Sequence, residues 1–96
     1  VEFPPLAESS WFVYLLKCSD DSYYAGITQN INQRFERHSD GRGPKYTQAR
    51  LPVQLVLTIP VKDESEAKIK EKWLKHQTRQ VKEELISVWK ASPNRE

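Results

Sequence analysis

Five polar side chains stand at positions from which they could do chemistry: Tyr14, Tyr24, Arg34, His38 and Glu71. Arg34 and His38 are four residues apart, so on a helix both project from one side and can meet a single phosphate, although a plain surface pair is the simpler reading of an isolated pattern of this kind. At about 100° per residue, Glu71 lies about 40° from Ala67 and faces away from Ile69, which puts it at the edge of an apolar stripe. A carboxylate there can face a cleft while its helix stays docked, and an ion pair with Lys75 one turn on is the simpler alternative. Tyr14 and Tyr24 fall in strand-like segments and share a face only in one hairpin register, since a slip of one residue separates them. The chain carries no HExxH, no Cys/His metal-ligand spacing and no P-loop, and its one cysteine, Cys18, has no local sign of activation.

The elements that must hold these side chains are legible in the pattern of residues. WFVYLLK from Trp11 is aromatic and β-branched at odd and even positions alike, a strand covered on both faces. CSDDS reads as a turn and SYYAGIT as a second, shorter strand, together a hairpin. Asn30 with Gln33 forms a capping box opening a helix over Ile31 to Ser39. DGRGPKYTQARLP is a loop by its glycines and prolines. In PVQLVLTIP, Val53, Leu55, Leu57 and Ile59 alternate with Gln54 and Thr58, a third strand with one apolar face. Asp63 with Glu66 opens a helix over Glu64 to Gln77 with an expected stripe of Ala67, Ile69, Trp73 and Leu74. Thr78 caps a last helix whose docking face is Val81, Leu85, Val88 and Trp89. The fold class is therefore α+β, a small three-stranded antiparallel sheet flanked by helices in the order β-β-α-β-α-α. Residues 1–10 read as an arm, 11–90 as the domain and 91–96 as a tail that frays.

At 96 residues the chain has room for one domain, and three Trp, four Tyr and three Phe supply much apolar area from few side chains. The formal charge of +2 does not by itself announce a polyanionic partner. Its distribution says more: Arg34, Arg37, Arg42, Lys45 and Arg50 crowd one stretch against only Glu36 and Asp40, a patch that a phosphate backbone would attract or that is simply a solvated face. One cysteine excludes an internal disulfide and suits a reducing compartment, and no segment has the pattern of a membrane span, so the cytoplasm is the expected location.

From Trp11 to about Ile86 the sequence resembles the small stand-alone proteins of the GIY-YIG endonuclease superfamily. Phe12, Val13 and Tyr14 occupy the place of the first signature tripeptide and Tyr24, Ala25 and Gly26 that of the second. Arg34 stands ten residues after Tyr24, His38 falls at the family's histidine, and Glu71 in SEAKIKE matches its metal-binding glutamate. Phe12 departs from the motif's glycine. No asparagine stands shortly after the metal helix where some larger relatives have one, which leaves open whether Gln77 or nothing supports the far side of the site.

The resemblance implies a metal-dependent endonuclease of low sequence specificity acting on DNA, in repair or processing. Glu71 would hold Mg²⁺ or Mn²⁺, Arg34 would clamp the non-bridging oxygens, Tyr14 or Tyr24 would orient or deprotonate the attacking water, and His38 would relay a proton or bond the phosphate. Arg37, Arg42, Lys45, Tyr46 and Arg50 are expected to grip the nucleic acid, with Gly41 to Arg50 as the segment along the flanking backbone. Branched, nicked, single-stranded or duplex DNA, and RNA, all remain open as partners. The alternative function is a non-catalytic nucleic-acid-binding module for DNA or RNA. A second rival is an interaction domain using the apolar arm or the Trp89 helix as its contact surface.

Overall fold

The structure is a computed structural model that describes residues 11–91; the expected arm at 1–10 and all but the first residue of the expected tail lie outside that range. Its elements in chain order are β1 (Trp11–Lys17), β2 (Tyr23–Thr28), α1 (Ile31–Ser39), α2 (Lys45–Gln48), β3 (Gln54–Val61), α3 (Glu64–Lys75) and α4 (Arg79–Ala91). The strands form one antiparallel sheet in the order β2-β1-β3. The most apolar strand thus takes the centre, where its neighbours satisfy its backbone and both its faces are covered. The loop expected between the first helix and the third strand contains one addition, the single turn of α2, whose chain enters from Pro44.

Capping residues set the helix starts as the sequence suggests. The Asn30 side chain accepts from the Gln33 amide at 3.0 Å, Asp63 from that of Glu66 at 2.8 Å, and Thr78 from that of Val81 at 3.2 Å. Each meets one of the first-turn N–H groups that a helix leaves unpaired.

Two apolar clusters lie on opposite faces of β1. Val13 and Leu15 join Ala25, Val56, Leu57, Val61, Ala67, Leu74 and Ile86 beneath α3 and α4. Tyr14, Leu16, Cys18 and Val53 form the second cluster, against which Tyr24, Ile31 and Phe35 pack.

Three details differ from the sequence pattern. In β3 the alternation breaks: Leu15 pairs with Leu57 but Leu16 with Leu55, so Val56 is an extra residue. This bulge moves Leu57 and Ile59 to the first cluster while Val53 and Leu55 stay with the second. On α3 only Ala67 and Leu74 of the expected stripe are buried; Ile69 and Trp73 face outward, 69% and 42% exposed. The buried line runs instead along Ala67, the half-buried Lys70 and Glu71, and Leu74. On α4 Ile86 is buried and Val88 exposed. Trp89 packs on the core and donates from Nε1 to Thr58 Oγ1 at 3.1 Å, so its helix is docked rather than presenting that ring as a contact surface.

Candidate functional site

The site lies on the face of the sheet covered by α1 and the segment leading into α2. The register resolves the two tyrosines: Tyr14 pairs with Gly26 and Leu16 with Tyr24, so both phenols stand on one face, diagonal to each other. Gly26 is required there, because a Cβ at that position would overlap the Tyr14 hydroxyl and ring. The second tripeptide thus ends in glycine so that Tyr14 can lie flat across β2.

His38 has no exposed surface, and neither has Thr47 beside it. Its Nε2 lies 3.1 Å from the Tyr14 hydroxyl and its Nδ1 2.9 Å from Thr47 Oγ1. The Thr47 hydroxyl donates to the Pro44 carbonyl at 3.1 Å, which leaves an oxygen lone pair facing the ring. This assigns the proton of a neutral imidazole to Nδ1, with Nε2 accepting from Tyr14. Burial first, and then Arg34 and Arg37, hold the His38 pKa below its ordinary 6.5. Gly43 packs against the same ring, where a Cβ would stand 2.7 Å from Nδ1. His38 therefore binds α1, β1 and the α2 segment together.

The structure brings the five candidate chemical residues into one electrostatic neighbourhood. Burial pushes the Tyr14 pKa up to about 12, with Tyr24 and Glu71 adding to the rise and Arg34 opposing it. Tyr24 is raised by burial and then by Glu71, again against Arg34. Both phenols are thus held in their protonated form at neutral pH, and Tyr14 spends its proton on His38. The Glu71 carboxylate lies 3.7 Å from Lys75 Nζ, the ion pair that the helical spacing allows. Among the described residues no group of three or more His, Cys, Asp and Glu is placed to hold a metal ion. Glu71 is the carboxylate that would hold a Mg²⁺ or Mn²⁺, and the Lys75 ammonium competes with such an ion for its oxygens.

Beside this cluster, Arg34, Arg37, Arg42, Gly43 and Pro44 line a cavity of about 320 Å³. Arg42 is also paired with Asp40 at 2.6 Å. Tyr46 stacks on Tyr24 with ring centroids 5.8 Å apart and planes at 28°, and Tyr24 in turn packs on His38. The Arg50 guanidinium lies 3.9 Å above the Tyr46 ring and is held by Asp20 at 2.9 Å. Lys45 is exposed on the same short helix. Sequence reasoning missed Thr47, Gly43 and Pro44. A threonine, a glycine and a proline in a loop carry no chemical pattern, and their roles exist only once His38 is packed against them.

The family model for the GIY-YIG catalytic domain matches residues 10–84. The chain belongs to the GIY-YIG family, among its UPF0213 members. This GIY-YIG protein is 47% identical to a UPF0213 protein of Staphylococcus aureus over 80% of its own chain and 94% of the relative. It is similar to the solution NMR structure of a UPF0213 protein from Bacillus halodurans, with 39% identity, coverage of 88% and 89%, and a TM-score of 0.54. A second solution NMR structure, of a protein from E. faecalis, matches at 33% identity over 96% and 94% of the two chains with a TM-score of 0.56.

These relatives overturn the expected endonuclease. The Staphylococcus aureus and Bacillus halodurans relatives are UPF0213 proteins, and among the described residues no group of three or more His, Cys, Asp and Glu is placed to hold a metal ion. The physical reason lies in the same geometry: burial holds either candidate base protonated, with Tyr14 raised to about 12 and Tyr24 also raised, His38 is closed off from solvent, and the Glu71 carboxylate is paired with Lys75. Hydrolase activity, its magnesium chemistry and a role in DNA repair are withdrawn with it. What the family and the site support in general is a nucleic-acid-binding role.

Proposed function

We propose that this protein is a non-catalytic nucleic-acid-binding module that grips the phosphate backbone of DNA with little regard for sequence. The observation that carries this reading is the convergence of Arg34, Arg37 and Arg42 on one cavity. Guanidinium groups present planar forks of donors that match phosphate oxygens, and contacts of that kind give affinity and register without reading bases. The Tyr14–His38–Thr47 chain serves this purpose as scaffold, fixing α1 against the sheet so that its arginines are already in place when the phosphate arrives. RNA offers the same phosphates, and the cavity contains nothing that demands a 2′-hydroxyl, so RNA of equal sequence is the comparison ligand. The cytoplasm, where a free Cys18 stays reduced, is the proposed location.

The test is fluorescence anisotropy of labelled DNA titrated with protein at several salt concentrations, in Mg²⁺ and in EDTA. Three phosphate contacts give a log–log salt slope of about −2 on a single strand and about −2.7 on a duplex, and Arg37→Ala should reduce the slope by about one contact. Binding should persist in EDTA, and the DNA should remain uncut in Mg²⁺. Absence of salt-dependent binding to any of these ligands would sink the reading.

A further inference from the structure

The arginine cavity accounts for a phosphate but leaves the neighbouring aromatic stack without a task. Tyr46 is 37% exposed although its ring is stacked on Tyr24 and covered in part by the Arg50 guanidinium. Arg50 is itself fixed by the Asp20 carboxylate and by the Tyr46 carbonyl at 3.0 Å. The result is a guanidinium laid over a phenol ring, both already held in place, so little freedom remains to be lost when a ligand covers the outer face of the guanidinium.

Tyr46 follows Pro44, a lining residue of the cavity, by two positions, so the two features lie within about 7 Å of each other along the backbone. One strand can therefore lay a phosphate among the arginines and the attached base on the stack. Phenol and guanidinium planes both suit a base face, and stacking of this kind accepts any base.

Resting on the proposed phosphate grip, we propose that the ligand of this site is an unpaired nucleotide in single-stranded DNA, with its base stacked on the Tyr46–Arg50 platform. In a duplex the base faces are covered by their neighbours, so the platform adds affinity only where a base is free.

The competing account is that Tyr46 merely ties α2 to the sheet through Tyr24. The two are separated by ligand as well as by variant. Anisotropy is measured with a DNA single strand, the same strand with its bases replaced by abasic sites, and a duplex of that sequence closed at both ends by glycol linkers. The wild type should bind the single strand about 5- to 150-fold more tightly than the abasic strand, the range expected for one stacked base. Tyr46→Leu should lose that difference while keeping duplex and abasic affinity, and Tyr46→Phe should retain it.

Equal wild-type affinity for the intact and abasic strands overturns the stacking proposal while leaving the phosphate grip standing. Equal weakening of all three ligands by Tyr46→Leu would make the residue structural and also overturn it. Failure of every strand to bind would instead sink the underlying phosphate reading. The comparison of intact and abasic strands needs no variant, so it decides the matter even if Tyr46→Leu fails to fold.

Discussion

His38 shows how a residue suited to chemistry becomes part of a framework. Its ring is enclosed, both nitrogens are bonded, and protonating it would put a second donor against the Tyr14 hydroxyl while burying a charge near Arg34 and Arg37. Because its folded pKa is depressed, the unfolded chain binds the proton first, so the stabilisation is fully present above about pH 6.5 and is lost as pH falls through the lower folded value. Chemical denaturation followed between pH 5 and 8 should therefore show the wild type weakening below pH 6.5, and His38→Gln should flatten that part of the profile. A profile unchanged by the substitution would remove His38 from the account. Gly26 supplies a second test at this scale. Gly26→Ala should destabilise by about 1–3 kcal/mol, because the added methyl must displace the Tyr14 ring. In a double-mutant cycle with Tyr14→Leu most of that cost should vanish, whereas additive effects would show that the close approach is not the cause.

At the scale of elements, local chemistry fixes where helices begin, and packing decides which of their faces turn inward. The caps at Asn30, Asp63 and Thr78 act within one turn and need no partner element. The inward line of α3 is set by α3's approach to β1 and β2, which buries Ala67 and Leu74, draws Glu71 inward and leaves Ile69 and Trp73 in water. Ile69→Lys should accordingly change stability by no more than about 0.5 kcal/mol. Ile86→Ala, on the buried line of α4, should cost about 2–5 kcal/mol. Urea melts of the two variants check the assignment, and a large loss on altering Ile69 would restore the stripe expected from periodicity.

For the whole molecule, placement of charge matters more than its sum. The formal charge is only +2, yet the cavity collects three arginines from α1 and the segment after it. Arg37→Glu and Lys68→Glu each lower the formal charge from +2 to zero. Lys68 is exposed on α3 and paired with Glu64, well screened by solvent. Arg37→Glu should abolish salt-sensitive DNA binding while Lys68→Glu changes it less than about twofold, as read by anisotropy at low salt. Similar losses in both would mean that overall charge, not the cavity, attracts the ligand.

Much of this architecture is written in short-range pattern. The strands at Trp11 and Tyr23, the helix at Ile31–Ser39 and the three caps follow from side-chain period and from hydrogen bonds spanning a few residues, so the α+β class and the family's spacing of Tyr14, Tyr24, Arg34, His38 and Glu71 are legible in the chain itself. Long-range contacts decided the rest. Only strand pairing puts Tyr14 and Tyr24 on one face, only the extra Val56 carries Leu57 and Ile59 to the other cluster, and only docking turns Ile69 outward. The candidate site follows the same division. Residue types placed its tyrosines, arginine and histidine, but burial set their protonation: removed from water, a phenol keeps its proton and an imidazole stays neutral.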